Sequence, residues 1–179
     1  TEATNFSKQP GLSNDAEHEG VKDDFNYAFI TGDHDPIAPK GTDTAQGALG
    51  DCFFIASMAA IANAQPSAIS DAITYNSDGT YTVRFYEEQW SGESKPVYIT
   101  VDAYLPTSGA TNDPAYAGDP GAKLWPAIME KAYAQWKGGY DVIGEGGTGH
   151  EAMADISGQR SRSKNPSSMR GEDVVPYFQ

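Results

Sequence analysis

The chain has 179 residues, a length that suits one domain with a sizeable core. Its 25 acidic and 12 basic residues give a net charge of −13, which argues against nucleic acid or an anionic membrane as a partner. The longest apolar run, Cys52 to Ala62, is too short to span a bilayer, and no N-terminal secretion signal is visible. Because the chain begins with Thr1 rather than methionine, we interpret it as a processed or partial sequence from which a signal could have been removed.

Cys52 is the only cysteine, so an intrachain disulfide is excluded. A single cysteine slightly favours a reducing, cytoplasmic compartment and leaves an exported form open. The localisation therefore stays undetermined at this point.

The first 24 residues are polar, acidic and short of large apolar side chains, which predicts a flexible acidic leader. A short aromatic patch follows, from Phe25 to Ile30, and then the turn formers of GDHDPIAPKGTD. These segments predict an ordered loop rather than a helix or a long strand.

Two helices are predicted next. The first runs from about Asp51 to Ala64, because apolar and small residues recur at helical spacing and Asp51 suits the first turn. Pro66 prevents its continuation and suits the first turn of a second short helix that extends to about Ala72.

An antiparallel pair of strands is predicted after these helices. In TYTVRFYEEQW, Tyr81, Val83 and Phe85 alternate with polar or amphipathic residues, as in a half-buried strand. A second strand is predicted from Pro96 to Leu105, and the intervening SGES is turn-like.

The next predicted helix carries an apolar stripe at helical spacing. The stripe consists of Leu124, Trp125, Ile128, Met129, Ala132 and Trp136. Pro126 lies in the first turn and Gly138 with Gly139 supplies a stop, so the tryptophans are interpreted as core residues. The loop GEGGTG then follows Tyr140. It lacks the spacing and the lysine of a phosphate-binding loop, whereas a simple flexible turn stays open as its explanation.

The nucleophile candidate lies in QGALGDCFF, from Gln46 to Phe54. A cysteine at the start of a helix meets free backbone amides and the positive end of the helix dipole, which stabilise the reactive thiolate. The side-chain amide of Gln46 and the backbone amide of Cys52 could both donate to the oxyanion formed at an attacked carbonyl.

This segment resembles the nucleophile segment of the calpain family of papain-like cysteine proteases. VDAYLPT, from Val101, and LWPAIMEKAYAQWKGGYDVIGEGGTGHEAMADISG, from Leu124, are similar to later calpain segments in the same order. The resemblance covers roughly Gly41 to Gly158. It implies an α+β fold, namely the mainly helical, Cys-bearing subdomain with a small antiparallel strand pair. We expect this subdomain to span residues 25–158, and residues 159–179 to form a linker or the start of a second subdomain.

The resemblance also implies a cysteine-type endopeptidase that acts on polypeptides. Cys52 is then the nucleophile, Gln46 the oxyanion-hole residue, and Gly146 with Gly147 the pair that binds the substrate backbone. Such chemistry needs a histidine and an asparagine or aspartate, which calpains take from the second subdomain. That subdomain is the expected partner, and this chain alone is predicted to be inactive.

The three histidines of the chain do not match the family's catalytic histidine. His18 and His34 precede Cys52, and His150 falls within the predicted glycine-rich loop. A loop histidine is usually solvated or hydrogen-bonded, so His150 is a weak candidate for the base.

Calcium is the cofactor that the resemblance implies, with oxygen ligands. Asp43, nine residues before Cys52, matches an acidic ligand of the first calpain site. For the other acidic ligand of the same site the chain offers Asp119, but Pro120 and Lys123 depart from the family there.

Two other readings of the chain stay open. One is a non-catalytic calpain-like module that binds a partner or regulates a protease, which the lack of a matching histidine favours. The other is a buried structural cysteine, which is the usual state of a lone cysteine on an apolar helix.

Overall fold

The computed structural model describes residues 26–29, 39–102, 104–108, 113–114, 117 and 123–160. Residues 26–29, 107, 108, 113 and 114 are described by their backbone alone. Helices and strands mix along this part of the chain, which confirms the α+β class. None of the helices in these ranges is long and apolar enough to cross a bilayer.

The strands form two antiparallel sheets of three strands each. One sheet has the order β2 (Ile73–Tyr75), β3 (Tyr81–Glu88) and β4 (Ser94–Val101). The other has the order β1 (Asn26–Phe29), β5 (Tyr104–Ser108) and β6 (Asp113–Pro114). The predicted strand pair is therefore present as β3 and β4, but it belongs to a larger set of strands than the sequence indicated.

Strand β3 confirms the alternation read from the sequence. Tyr81, Val83 and Phe85 are buried, and the residues between them are only half-buried. Val83 pairs with Ile99 of β4, and both side chains are buried. The two strands therefore share one buried face, which packs against the helices.

The predicted single strand from Pro96 to Leu105 is wrong. The chain leaves the first sheet after Val101 and enters the second at Tyr104. Asp102 causes this break, because its Oδ1 accepts a hydrogen bond from the Tyr104 backbone N–H at 2.8 Å and one from Lys131 Nζ at 2.7 Å. A side chain that bonds the backbone two residues ahead favours a turn over a continued strand.

The predicted loop from Phe25 to Ile30 also needs correction. Residues Asn26–Phe29 form the short strand β1, which pairs antiparallel with β5. Its partner is distant in sequence, so local pattern alone could not reveal the pairing.

The first predicted helices are confirmed with small changes at their ends. Helix α1 spans Cys52–Ala64 and helix α2 spans Pro66–Ser70, two residues shorter than expected. The backbone N–H of Asp71 bonds the carbonyl of Ser67 at 2.9 Å and closes the last turn of α2.

Helix α3 spans Trp125–Lys137 and confirms both predicted end signals. Pro126 lies in its first turn, and Gly138 adopts a φ of +115° that L side chains rarely accept. The N–H groups of Gly138 and Gly139 both bond the carbonyl of Ala134, at 2.9 and 2.7 Å. Every residue from Trp125 to Ala134 is buried, so the helix is buried on all faces rather than along one stripe.

Aromatic rings join α1, α3 and β3 into one core. Phe54 stacks on Tyr133 with ring centroids 4.0 Å apart, and Phe85 stacks on Trp136 at 5.4 Å. Tyr133 also meets Phe85 edge to face at 5.6 Å. This packing fixes the orientation of α1, whose N-terminus carries Cys52.

Two further helices, which the sequence did not predict, flank the predicted GEGGTG loop. Helix α4 spans Tyr140–Gly144 and helix α5 spans Gly149–Ser157. The loop is therefore limited to residues 145–148, and His150 is a helical residue in the first turn of α5.

Candidate active site

Cys52 is the first residue of α1, and its side chain is exposed. The N–H groups of Phe54 and Ile55 bond the Asp51 carbonyl at 2.8 and 3.2 Å, which forms the first turn. Amides at a helix N-terminus point away from the helix and stabilise negative charge. The thiol is thus accessible and lies at the N-terminal end of α1.

Gln46 lies in the loop that leads to Cys52, with an exposed side chain. Its Nε2 donates a hydrogen bond to the carbonyl oxygen of Leu49 at 3.0 Å. An amide NH₂ group carries two hydrogens, so this bond orients the side chain and uses only one of them.

The loop before Cys52 packs closely against the end of α4. A Cβ added to Gly50 would lie 2.3 Å from the carbonyl oxygen of Gly144. A Cβ on Gly144 would in turn lie 2.8 Å from Leu49 Cδ1. Gly50 therefore requires glycine, whereas an added Cβ at Gly144 could be accommodated by a shift of the Leu49 side chain. The contact between the two glycines joins the nucleophile loop to the segment that leads into Gly146 and Gly147.

Gly147 lies against the ring of Phe53, the residue after Cys52. A Cβ at Gly147 would meet that ring at 2.7 Å. The Ser57 hydroxyl links the same two segments, because its oxygen lies within hydrogen-bond distance of the Phe53 carbonyl oxygen, at 2.7 Å, and of the Gly149 carbonyl oxygen, at 3.0 Å. The structure therefore brings Gly147, one of the predicted glycine pair, against the helix that carries the candidate nucleophile.

Gly146 differs from its neighbour in having open space around it. Its φ is +100°, and a Cβ there would meet no atom within 4 Å among the residues described. Its backbone can be approached closely by another chain.

A cavity of about 710 Å³ adjoins this loop, and both glycines, Phe53 and His150 line it. On its wall, the Tyr133 hydroxyl donates to Asp155 at 2.9 Å, and Lys137 forms an ion pair with Asp155 at the same distance. Burial, together with the negative charge of Asp155, raises the pKa of Tyr133. Tyr133 therefore remains a protonated donor.

Asp51 was expected to suit the first turn of α1, and the structure turns its carboxyl group into the core instead. Its carboxyl group is buried, makes no capping hydrogen bond, and faces the equally buried Glu130 of α3. Burial raises the pKa of Asp51 to about 6. Burial, and then the charge of Asp51, raise the pKa of Glu130 well above its usual value. The feature of the sequence that could have indicated this buried pair was an acidic residue, Glu130, in a helix that is apolar on several faces.

Asp43 is engaged in bonds within the protein. Its Oδ2 accepts hydrogen bonds from the Lys40 backbone N–H at 2.8 Å and from Trp125 Nε1 at 3.0 Å. N–H hydrogens that point at a carboxylate oxygen compete with a cation for the lone pairs of that oxygen. No group of three or more histidine, cysteine, aspartate or glutamate side chains in the described ranges could hold a metal ion. These bonds engage Asp43, and Asp119, the other expected acidic ligand, lies outside the described residues, so the calcium site stays a prediction.

The comparison with known families explains this arrangement. The sequence model of the family described as calpain family cysteine protease matches residues 26–175, which is well over half of the chain. The chain belongs to the calpain family of cysteine proteases. It is therefore a member of a family of thiol proteases, with the Cys-bearing segment inside the matched range.

Curated calpains agree with this assignment. The calpain-type cysteine protease DEK1 of Zea mays is 37% identical over 124 residues, which are 66% of this chain and 5% of that protein. Calpain clp-4 of Caenorhabditis elegans is 37% identical over 65% of this chain and 16% of its own length. The calpain-2 catalytic subunit of Bos taurus is 33% identical over 135 residues, 74% of this chain and 18% of that protein. The chain thus spans less than a fifth of each of these relatives.

His18 and His34 lie outside the described residues. His150 is half-buried and lines the cavity beside Phe53 and Gly147, whereas Cys52 is not among the lining residues. The structure therefore does not pair His150 with Cys52 across that cavity.

Proposed function

We propose that this chain is the Cys-bearing half of a calpain-like cysteine endopeptidase, with Cys52 as nucleophile. One observation carries the proposal: an exposed cysteine at a helix N-terminus lies next to Phe53, whose ring contacts Gly147 of the glycine pair. Residues 25–158 form this half, and residues 159–179 lead to a second subdomain that supplies the histidine and the asparagine.

The chemistry follows from these groups. The Cys52 thiolate attacks a peptide carbonyl carbon, so a C–S bond forms and the carbonyl electrons move to oxygen. Gln46 and the Cys52 backbone N–H donate to that oxyanion, and the histidine of the second subdomain gives its proton to the leaving amine as the C–N bond breaks. Water then hydrolyses the thioester, which releases the acyl product and restores the thiol.

The substrate is an extended polypeptide whose backbone pairs with Gly146 and Gly147. The open space at Gly146 and its positive φ support this role, because a side chain would obstruct the approach of the substrate backbone. No step of this mechanism passes through calcium.

The test compares two reagents that alkylate Cys52. One is a leucyl-peptide epoxysuccinate, and the other is an epoxysuccinate ester without the peptide; intact mass gives the rate of each. The peptide reagent can form two backbone hydrogen bonds with the glycine pair, each worth about 1 kcal/mol. We therefore expect it to alkylate Cys52 roughly tenfold faster than the simple ester, or more. Equal rates for the two reagents would favour the non-catalytic module instead.

A pair of glycine variants makes the test specific to the loop. Gly146→Ala should abolish the preference for the peptide reagent and leave the rate of the simple ester unchanged. Gly79→Ala is the matched control, because Gly79 also has a positive φ of +87° and nothing within 4 Å of an added Cβ. If both variants lose the preference equally, backbone strain rather than substrate binding explains the loss. Cys52→Ala confirms the site of labelling.

A further inference from the structure

The buried carboxyl pair behind Cys52 has no role in the mechanism above. Asp51 and Glu130 are each only 1% exposed. Glu130 accepts a hydrogen bond from the Ala117 backbone N–H, at 3.1 Å to each of its two oxygens. Apart from Glu130, no donor in the described part of the chain bonds a carboxylate oxygen of Asp51.

Two carboxyl groups in contact in a dry site cannot both be ionised. One of them retains a proton and donates it to the other, and such a charge-assisted hydrogen bond is short and strong. Lys131, the one buried cation among the described residues, does not serve the pair, because its Nζ bonds Asp102 at 2.7 Å and the Tyr104 carbonyl at 2.6 Å. The charged group that acts on Glu130 is Asp51 itself.

The location of the pair connects it to the nucleophile. Asp51 directly precedes Cys52, and its carbonyl accepts the two N–H bonds that form the first turn of α1. On its other side, Gly50 lies against the Gly144 carbonyl. Glu130 belongs to α3, whose residues Tyr133 and Trp136 form the aromatic core. A bond from Glu130 to Asp51 would therefore connect the first turn of α1 to the helix that carries this aromatic core.

We propose that Glu130 is a positioning residue for Cys52, acting through a shared proton that holds the Asp51 side chain. The inference rests on the proposed role of Cys52 as nucleophile. Glu130 carries the proton and donates its O–H to the Asp51 carboxylate. Its raised pKa, caused first by burial, is consistent with that assignment.

The experiment measures the rate of Cys52 alkylation by iodoacetamide at pH 7 in three variants of the full chain. Glu130→Gln keeps a donor toward Asp51, Glu130→Met keeps the volume but offers no donor, and Glu93→Gln is the exposed control. We expect Glu130→Gln and Glu93→Gln to stay within about twofold of the parent. Glu130→Met leaves a buried carboxylate without a partner and should be alkylated roughly tenfold more slowly. Circular dichroism establishes that each variant is folded before its rate is compared.

The contrast between glutamine and methionine decides the proposal. If folded Glu130→Met is alkylated at the parent rate, or if Glu130→Gln is slowed as much as Glu130→Met, the proposal is wrong. Should Glu130→Met not fold, Asp51→Ala and Asp51→Asn supply the same contrast from the other side, because only the asparagine retains a bond to Glu130.

Failure of the proposed function would look different. In that case the parent chain would show no preference for the peptide epoxide over the simple ester, whatever the order of the iodoacetamide rates among the Glu130 variants.

Discussion

The indole Nε1 of Trp125 donates a hydrogen bond to Oδ2 of Asp43 across 3.0 Å. The bond joins the first turn of α3 to the 3-10 helix Gly41–Asp43, which lies ahead of the nucleophile loop. The Lys40 backbone N–H donates to the same oxygen, so Asp43 holds two segments together. Its carboxylate has a structural role in this arrangement.

Trp125→Phe should lower the free energy of unfolding by about 1–3 kcal/mol, because Asp43 loses a donor and the buried core loses volume. Urea denaturation measures the change. Trp90→Phe is the matched control, since Trp90 is fully exposed and its replacement should leave stability unchanged. Equal effects of the two substitutions would show that the bond contributes nothing.

Calcium should not stabilise this chain. Two N–H donors already point at Asp43, and Lys123 brings a positive charge into the segment that precedes Trp125. We expect thermal unfolding midpoints in millimolar calcium and in chelator to agree within error, with magnesium as the control for ionic strength. A stabilisation by calcium that Asp43→Ala removes would contradict this expectation and restore the calcium site that the resemblance implies.

Asp102→Ala should destabilise the protein more than Lys131→Met does. Lys131 is fully buried, and its ion pair with the partly exposed Asp102 is 2.7 Å long. Burial lowers the pKa of Lys131, and Asp102 opposes that shift. Removing the carboxylate leaves a buried cation without its partner and costs about 3–5 kcal/mol.

Urea denaturation of the two single variants and of the double variant tests this order. The cost of Lys131→Met should be smaller, because the carboxylate that it leaves behind can reach water. If Lys131→Met proved the more costly change, the buried lysine would matter for packing and its hydrogen bond to Tyr104 rather than for its charge.

The elements that the sequence predicted well are those with a strong local pattern. Helix α1 and helix α3 carry helical spacing with proline or glycine at their ends, and β3 carries strict alternation. The break between β4 and β5 was missed because the Asp102 side chain that makes it is held in place by Lys131, which lies on α3. Helices α4 and α5 were missed because glycines flank them and each is short.

The candidate site shows the same division between local and distant information. The nucleophile segment and the glycine pair could be read from their residues, whereas the contact between Phe53 and Gly147 needed the fold. The inward orientation of Asp51 could not be anticipated, because its partner Glu130 lies on α3. A surface aspartate and a buried one look alike in sequence.

Asp51→Asn should make the stability of the protein less sensitive to pH. Burial raises the pKa of Asp51 from 3.8 to about 6 in the folded state. Below the unfolded value the carboxyl group is neutral in both states and carries no penalty. As the pH rises through about 6 the folded state must ionise it, so stability is lost.

The asparagine variant removes that titration. We expect the difference in free energy of unfolding between this variant and the parent to grow by on the order of 2–3 kcal/mol from pH 4 to pH 7 in favour of the variant. Urea denaturation at both pH values measures it. Asp71→Asn, at an exposed position, should show no such gain. A constant difference between Asp51→Asn and the parent at the two pH values would mean that Asp51 ionises normally in the fold.

The isolated chain should hydrolyse no polypeptide, although its thiol can be alkylated. The exposed thiol can react with an alkylating reagent, but the leaving amine of a peptide needs a proton donor close to Cys52, which we assign to a second subdomain. His150 lies on α5 and lines a cavity that Cys52 does not line. Incubation with an unfolded protein substrate, followed by mass spectrometry of the products, tests this directly. Cleavage that both Cys52→Ala and His150→Ala abolish would show that His150 acts as the base and that the site is complete within this chain.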